Sequence, residues 1–206
     1  KDMLASLELP LEAFSELAAY SASLGIEFMS TAFDPVSLDH LLSLNVKRLK
    51  IPSGEITNPE LVRANGRAGL PVIMSSGMAN LGEIEQALGW LTESGAGNIS
   101  LLHCVSDYPA DLSDANLAAM DTLRTAFGYP VGWSDHTLGD TVTIAAVARG
   151  ATIIEKHFTL DKNLPGPDHK ASLDPSELKR MVENIRITEV AIGTGRKQPT
   201  EAERKV

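Results

Sequence analysis

The chain alternates short apolar segments with amphipathic segments along most of its length, and this alternation limits the folds that it can adopt. Six apolar segments predict strands, at 26–31, 46–51, 71–75, 98–104, 131–134 and 151–158. Segments with apolar residues at helical spacing predict helices at 11–24, 35–44, 59–67, 81–94, 115–127, 139–149 and 175–192. Because a helix between two strands carries the chain back across the sheet, this alternation predicts a parallel sheet.

Two parallel architectures fit this pattern, an open doubly wound sheet and a closed eight-stranded barrel. Polar or glycine-rich sequence follows every predicted strand, for example Ser75-Ser76-Gly77. In a barrel all these strand ends meet on one face, whereas an open sheet brings together only those at its switch point. We therefore predict an α/β fold of the TIM (β/α)8 type. About six βα units are present and the first two strands are expected to be missing, because a complete barrel has eight units in about 250 residues.

The composition narrows the classes of function. The chain has 206 residues, 43% of them hydrophobic, which predicts one globular domain with a substantial core. A net charge of -9 without a basic stripe argues against a nucleic-acid partner. No apolar run reaches the roughly 18 residues of a membrane helix. The single cysteine, Cys104, excludes an internal disulfide and fits a reducing compartment, so we predict a cytoplasmic protein. We expect Cys104 itself to pack as a small apolar residue.

A histidine lies at or just after the end of two predicted strands, and these two residues suggest a metal site. Alternation along a strand puts Ser134 with His136, and Glu155 with His157, on shared faces, while Lys156 should point to the helices and take no catalytic role. Either histidine alone is more often structural, but imidazoles on neighbouring parallel strands are within reach of one divalent ion. The site suits Mn, Fe, Co or Zn with open coordination positions, with Glu155 as a further ligand or a base.

Other strand ends suggest a site for an anion and a polar substrate. The segment Lys50-Ile-Pro-Ser-Gly-Glu places a lysine and a serine beside a glycine turn, which can hold a phosphate, although a solvated lysine before an ordinary turn is the simpler interpretation of this segment alone. Thr31 and Ser75 end neighbouring strands and add donors. Tyr108 and Asp168 lie on the same predicted face and suit sugar hydroxyl groups.

Six motifs occur in order along nearly the whole chain. They are KIPSGE (50–55), SSGM (75–78), LHCVSDYP (102–109), GWSDHTLG (132–139), EKHFTL (155–160) and GPDH (166–169). These motifs closely resemble the sialic acid synthase family, which includes N-acetylneuraminate, legionaminate and pseudaminate synthases and related spore-coat polysaccharide proteins. Because the spacing matches as well as the residues, the resemblance is specific.

The resemblance implies a transferase that condenses phosphoenolpyruvate with an N-acetylated hexosamine, such as N-acetylmannosamine or a diacetamido analogue, and releases phosphate in surface polysaccharide biosynthesis. By this likeness the metal, with Mn2+ expected and Mg2+ or Co2+ as alternatives, is held by His136 and His157. The residues implied for the phosphoenolpyruvate site are Thr31, Lys50, Ser53, Ser75 and Ser134. Those implied for the sugar side are Glu55, Tyr108, Glu155 and Asp168, with Glu55 and Glu155 as candidates for proton transfer.

The resemblance also carries expectations about chain organisation. Full-length members of the family begin with two further strands and end with a small antifreeze-like (SAF) domain that reaches into the site of a partner subunit. We expect residues 1–192 to form a partial synthase barrel and 193–206 to be a linker toward a SAF domain that is absent here. We expect this chain alone to lack full activity, and the full-length protein to be a homodimer.

Three alternative functions remain open from the sequence. A related synthase that acts on an aldose phosphate is one, although a second basic cluster for the sugar phosphate is missing. A catalytically silent carbohydrate-binding barrel is another. Metal content distinguishes it from a synthase, because a silent barrel has no reason to keep two histidines that can bind Mn. A barrel metallohydrolase is the third, but such sites usually have more metal ligands than two histidines and a glutamate.

Overall fold

The computed structural model describes residues 8–205, in which five parallel strands form one sheet. The strands are β1 (Leu49–Ile51), β2 (Val72–Ser75), β3 (Ile99–Cys104), β4 (Val131–Asp135) and β5 (Ile154–Lys156), in the order β1-β2-β3-β4-β5. The helices are α1 (Leu11–Ser23), α2 (Pro35–Ser43), α3 (Pro59–Arg67), α4 (Leu81–Glu93), α5 (Ala119–Phe127), α6 (Thr141–Ala148) and α7 (Pro175–Ile192), with short 3-10 helices at Ser53–Glu55 and Glu203–Lys205. The strand order follows the chain without reversal, as in a barrel and unlike a doubly wound sheet.

The sheet is strongly curled, and one ion pair demonstrates the curvature. Lys50 on β1 and Glu155 on β5 belong to the first and last strands of the sheet, yet Lys50 Nζ lies 3.1 Å from Glu155 Oε2. In a flat sheet four strand spacings of about 4.8 Å would separate the two backbones by roughly 19 Å. The five strands therefore form a curled half-barrel, and closure of the barrel by further strands stays a prediction.

Capping residues determine where several helices begin. Asn80 and Asp174 each accept a hydrogen bond from the backbone of the third helical residue, and that residue's glutamate binds back to the cap, so α4 and α7 begin with complete capping boxes. Asn58 caps α3 in front of Pro59, and Asp34 caps α2 in front of Pro35. The predicted starts of these four helices are confirmed.

The main core lies between the sheet and the surrounding helices. Its fully buried side chains include Met74, Leu91, Leu101, Met120 and Trp133. Burial of a large apolar side chain contributes about 1.5–3 kcal/mol, so this layer stabilises the packing of the helices on the sheet. A smaller apolar cluster joins α2 to β1. Among residues 8–205, no helix has the length and apolar character needed to cross a membrane.

The prediction of a strand over 26–31 is wrong, so the described part of the chain has five strands where six were expected. Only Thr31 forms a single bridge, to Lys50, and the rest of the segment has no ladder. Ile26 is 62% exposed. An apolar segment becomes a strand only where a neighbouring backbone pairs with it, and periodicity does not show whether that neighbour exists.

Other boundaries also differ from the sequence pattern. The segment 46–51 pairs only from Leu49, while the segment 151–158 pairs over Ile154–Lys156, after which Phe158 forms one bridge to Leu173. The fifth helix begins at Ala119 instead of 115, because turns precede it and Asn116 has a positive φ of 38°. A left-handed residue interrupts helical hydrogen bonding whatever the apolar spacing.

Candidate functional site

A cavity of about 470 Å³ opens at the carboxyl ends of the strands, on the concave side of the sheet. Parallel strands bring their following loops to one face, which is where barrel sites are built. Eight of the eleven residues singled out from the sequence line this cavity: Lys50, Ser53, Ser75, Tyr108, Ser134, His136, Glu155 and His157. The structure therefore assembles residues that are up to 107 positions apart, counted from Lys50 to His157.

Glu155 is held between a lysine and a serine. Ser134 and Glu155 are register partners on β4 and β5, and Ser134 Oγ donates a hydrogen bond of 2.7 Å to Glu155 Oε1. The other carboxylate oxygen is 3.1 Å from Lys50 Nζ, and the Lys50 side chain is only 11% exposed. A lysine this enclosed needs an anion beside it, so Lys50 is a cation held ready for a carboxylate or phosphate.

His136 has one ring nitrogen already occupied. Its Nδ1 lies 2.7 Å from the carbonyl oxygen of Val105, which can only accept, so Nδ1 carries the proton and Nε2 keeps its lone pair in the neutral ring. Burial lowers the pKa of His136, but hydrogen bonds with Cys104 and Val105 outweigh burial, and the net pKa is raised. An imidazole whose Nδ1–H binds a backbone carbonyl is the arrangement found in metal-ligating histidines.

The second imidazole, His157, packs edge-to-face against the first. The two ring centroids are 5.2 Å apart and the rings are nearly perpendicular, at 88°. Asp168 Oδ2 lies 3.6 Å from His157 Nδ1, just beyond hydrogen-bond distance. Burial, and then the charge of His136, lower the pKa of His157, which favours the neutral, ligating form.

Two side chains of the cavity, His136 and His157, are of a type that can ligate a metal ion. Within residues 8–205, no group of three or more His, Cys, Asp or Glu side chains is arranged to hold a metal ion. His136 and His157 would supply two nitrogens, so an ion held by these two residues would keep positions for water or substrate.

Tyr108 covers the histidines from the mouth of the cavity. Its ring centroid lies 4.1 Å from that of His136 and 5.5 Å from that of His157, and the residue is 48% exposed. Burial, followed by the charges of Cys104, Asp168 and Glu155, raises the pKa of Tyr108. The phenol therefore stays protonated and can donate a hydrogen bond to a ligand.

Small polar groups form the floor of the cavity. Gly77 N donates a hydrogen bond of 2.9 Å to Ser53 Oγ, which lies 3.7 Å from Cys104 Sγ. Ser75 Oγ is buried and has no hydrogen-bond partner in the described structure. A buried hydroxyl without a partner costs free energy, so it is available to a ligand that supplies one.

The sequence interpretation missed Cys104, which lines the cavity with its Sγ 3.9 Å from His136 Nδ1. We expected it only to pack as a small apolar residue. The thiol's burial raises its pKa, but hydrogen bonds from His136 and Ser53 outweigh burial and the net pKa is lowered. Strand alternation carried the signal, because Leu102 and Cys104 share the inner face of β3 while His103 faces the helices.

Three of the predicted site residues do not line the cavity. Thr31 lies beside Lys50 through its single backbone bridge. Glu55 accepts a hydrogen bond from Asn58 Nδ2 at 2.8 Å, within its own turn. Asp168 approaches the site only through His157, as described above. Their roles toward a substrate stay predictions.

The predicted direction of Lys156 is confirmed. Its Nζ lies 3.1 Å from Asp135 Oδ2 on the side of the sheet that faces the helices. Lys156 therefore does not enter the cavity that Glu155 and His157 line.

Comparisons with known proteins agree with this site. The sequence profile described as the NeuB family matches residues 1–197. An N,N'-diacetyllegionaminic acid synthase of Legionella pneumophila is 51% identical over 206 residues, which cover 98% of this chain and 58% of that protein. A protein of the same name from Campylobacter jejuni is 50% identical over 205 residues, covering 98% of this chain and 61% of the relative. The chain thus spans about 58–61% of the length of these two relatives.

A solved structure gives the same assignment. The crystal structure of an N-acetylneuraminic acid synthetase from Leptospira borgpetersenii serovar Hardjo-bovis, in complex with citrate, superposes with a TM-score of 0.94 at 37% identity. The match covers 99% of this chain and 71% of that one. The resemblance read from the six motifs is confirmed, and the chain belongs to the NeuB family.

Proposed function

We propose that this chain carries the catalytic centre of a nonulosonic acid synthase, a transferase that condenses phosphoenolpyruvate with an N-acetylated hexosamine and releases phosphate. The observation that carries the proposal is the cavity in which the Lys50–Glu155–Ser134 group faces the paired imidazoles of His136 and His157. A cation and hydroxyls suit an anionic substrate, and two imidazoles with open positions suit a metal that binds an aldehyde.

Phosphoenolpyruvate is bound by local groups, because the chain as a whole is acidic. Lys50 provides the positive charge, Ser75 an unpartnered buried hydroxyl, and Ser134 a hydroxyl that Glu155 now occupies. Ser53 and the backbone of Gly77 add donors at the cavity floor. Charge-assisted hydrogen bonds of this kind are about twice as strong as neutral ones, which allows a small anion to bind despite a net charge of -9.

A divalent ion, with Mn2+ first and Mg2+ or Co2+ as alternatives, would be held by His136 and His157. The fit rests on His136, whose Nδ1 is bound to Val105 and whose Nε2 is free to ligate. When bound, such an ion supplies Lewis-acid polarisation of the sugar aldehyde. Asp168 would orient the second ring if its carboxylate closed the present 3.6 Å separation from His157 Nδ1.

The reaction forms a bond between the methylene carbon of phosphoenolpyruvate and the aldehyde carbon of the sugar. Water adds to the carbon that bears the phosphate ester, and the bond from that carbon to the phosphate oxygen then breaks. Of the two protons of the water, one reaches the former aldehyde oxygen and the other leaves with phosphate. Glu155 contacts both Lys50 and Ser134 and is the cavity carboxylate suited to move these protons. Glu55 keeps that role as an alternative.

The substrate that we propose is the diacetamido hexose that yields N,N'-diacetyllegionaminic acid, the product in the names of the two relatives described above. Tyr108 at the mouth offers a phenol for hydroxyl or amide groups. The exposed side chains of Phe33 and Met78 line the same cavity and provide apolar surface for acetamido methyl groups. The proposal places the reaction in cytoplasmic surface-polysaccharide synthesis by a homodimer.

The experiment measures phosphate release from phosphoenolpyruvate with Mn2+ by the protein that carries this chain. It compares N-acetylmannosamine with the diacetamido precursors of legionaminate and pseudaminate. We expect release with the legionaminate precursor and its loss in His136→Ala and in His157→Ala. His40→Ala is the matched control, because His40 lies on α2 outside the cavity.

Two results would redirect the assignment. Release only with an aldose phosphate would indicate the related synthases of deoxy-heptulosonate or deoxy-octulosonate phosphate. Binding of an amino sugar without phosphate release from any mixture, in protein that binds Mn2+, would indicate a catalytically silent carbohydrate-binding barrel.

A further inference from the structure

The last rung between β4 and β5 is a buried ion pair. Asp135 and Lys156 are register partners, and Lys156 Nζ lies 3.1 Å from Asp135 Oδ2. Their side chains are 0% and 3% exposed, and they face the helices instead of the cavity. The residues that follow them are His136 and His157, so the pair stands directly behind the point where both imidazoles leave the sheet.

The carboxylate of Asp135 gathers the loop after β4. Its Oδ1 accepts hydrogen bonds from Thr137 N at 2.9 Å and from Thr137 Oγ1 at 2.7 Å. Its Oδ2 accepts from Thr143 Oγ1 of α6 at 2.5 Å. Lys156 Nζ donates to the Thr137 carbonyl oxygen at 2.5 Å. Both backbone polar groups of Thr137 are therefore bound by the ion pair.

This arrangement restrains His136 from two directions. The peptide between His136 and Thr137 is held by Asp135, and the next peptide is held by Lys156, which belongs to the strand of His157. On the other side the His136 ring is held by the Val105 carbonyl. The ion pair therefore links the backbone that follows His136 to the strand that leads to His157.

Stability alone gives little reason for this pair. Replacing a buried ion pair with apolar residues of similar volume is often neutral or stabilising, because desolvation offsets the attraction between the charges. The neighbouring outward-facing residue of β4, Trp133, is fully buried among apolar side chains and shows that this layer accepts them. The polar side chains of Asp135 and Lys156 instead make specific hydrogen bonds with the loop after β4 and with α6.

We propose that Asp135 and Lys156 are positioning residues that set the relative placement of the His136 and His157 imidazoles. The proposal rests on the proposed function, since it assigns the pair to the two metal-binding histidines. Neither residue touches the cavity, and their effect passes through Thr137 and the ends of β4 and β5.

The test begins without metal, so that it does not depend on the metal proposal. The variants are Asp135→Asn, Lys156→Met and the milder Thr143→Val, which removes one hydrogen bond to Asp135 and keeps the volume. Leu91→Ala is the control, because Leu91 is fully buried in α4, away from the cavity, and its truncation destabilises the fold without touching the strand ends. Each protein is studied at a temperature where circular dichroism shows it to be folded.

The first readout is the nitrogen chemical shifts of the His136 imidazole. They are measured at a pH well above the ordinary histidine pKa of about 6.5. In the wild-type protein we expect the tautomer with the proton on Nδ1. In the Asp135 and Lys156 variants we expect a mixture of tautomers, since the bond to Val105 is no longer held in place, with a smaller change in Thr143→Val. Unchanged shifts in all three variants would overturn the proposal, as would an equal change in Leu91→Ala.

The second readout is the dissociation constant for Mn2+ alone, followed by electron paramagnetic resonance. We expect the folded Asp135 and Lys156 variants to bind roughly 10–100-fold more weakly, as is typical when a partner behind a metal ligand is lost. If the Mn2+ affinity of the variants falls only in proportion to the fraction of folded protein, the pair has only a structural role and the proposal is overturned. If the original chain binds no Mn2+, the metal assignment fails, and the tautomer of His136 still decides whether the pair positions it.

Discussion

Lys50 Nζ and Glu155 Oε2 form an ion pair of 3.1 Å that joins the first and last strands of the sheet across the cavity. Among residues 8–205, the carboxylate that pairs with Lys50 in the cavity lining is Glu155, which we also propose for proton transfer. An anionic substrate therefore competes with Glu155 for Lys50. Binding and chemistry should respond in opposite ways when this pair is changed.

Lys50→Met should weaken the binding of phosphoenolpyruvate by roughly 10–100-fold, because a hydrogen bond to a charged group contributes about 1.5–3 kcal/mol. Isothermal titration calorimetry gives the dissociation constant. Lys50→Arg keeps the charge and is the control, for which a smaller loss is expected. Equal affinity in the methionine variant would show that Lys50 does not bind the substrate.

Glu155→Gln should strengthen phosphoenolpyruvate binding while it abolishes most of the phosphate release. The amide no longer competes for Lys50. Because the Glu155 side chain is 37% exposed, solvent screens the ion pair, so we expect an affinity gain of at most several-fold. Release should fall by roughly a hundredfold or more, since general acid–base catalysis contributes 10²–10⁴. Calorimetry and a phosphate assay on one preparation measure both, and parallel losses in the two would contradict the competition.

Addition of Mn2+ should raise the melting temperature of the chain. Saturation at about 100 times the dissociation constant contributes about 2.7 kcal/mol, which corresponds to roughly 5–10 °C for a chain of this size. Differential scanning calorimetry with Mn2+, and with excess chelator, gives the shift. We expect no shift in His136→Ala or His157→Ala, whereas a full shift in either would place the metal elsewhere.

Gly132→Ala should destabilise the fold strongly. A Cβ at this position of β4 would stand 2.3 Å from the Ile153 carbonyl oxygen and 2.7 Å from a Leu102 methyl carbon. The carbonyl is backbone and cannot rotate away, so we expect a loss of about 3 kcal/mol or more in the free energy of unfolding. Urea titration measures it.

Gly89→Ala is the matched control for that substitution. Gly89 lies within α4, and an added Cβ there meets nothing within 4 Å. Alanine should stabilise the chain by about 0.5–1 kcal/mol, because glycine loses more backbone entropy in a helix. A loss of similar size in both variants would rule out the close approach at Gly132 as the cause.

Gly77→Ala should affect the site more than the fold. A Cβ there would stand 2.3 Å from Ser106 Oγ, 2.8 Å from Ser53 Oγ and 3.1 Å from Cys104 Sγ. These are the ends of small side chains that can rotate, so stability should change little while the hydroxyls leave the cavity floor. We expect roughly tenfold weaker binding of phosphoenolpyruvate, the size of one lost hydrogen bond. Unchanged affinity would show that the cavity floor does not take part in binding phosphoenolpyruvate.

Local sequence signals predicted the elements that depend on nearby residues. The starts of α4 and α7 follow from Asn80 and Asp174, whose side chains bind backbone groups three positions away. The strand end at Ser75 was also correct. These features depend on contacts between residues that are close in sequence, so the local sequence is sufficient to predict them.

Contacts between segments that are distant in sequence could not be predicted from the local sequence. The segment 26–31 has the apolar character of a strand but lacks a ladder, and Cys104 was assigned to packing although it lines the cavity. The alternation of β3 placed Cys104 on the inner face, but nothing local showed how closely His136 would approach it. Proximity across the sheet depends on curvature, which no single segment determines.

The amino-acid sequence by itself determined the parallel α/β architecture, the grouping of polar strand ends on one face, and the direction of Lys156 away from the cavity. All three follow from the periods of helix and strand. Only the tertiary structure decided that Lys50 meets Glu155 and that Asp135 and Lys156 close the last rung behind the histidines. Those pairs require the curl and register of the whole sheet, which result from packing the helices against it and not from any one stretch of the chain.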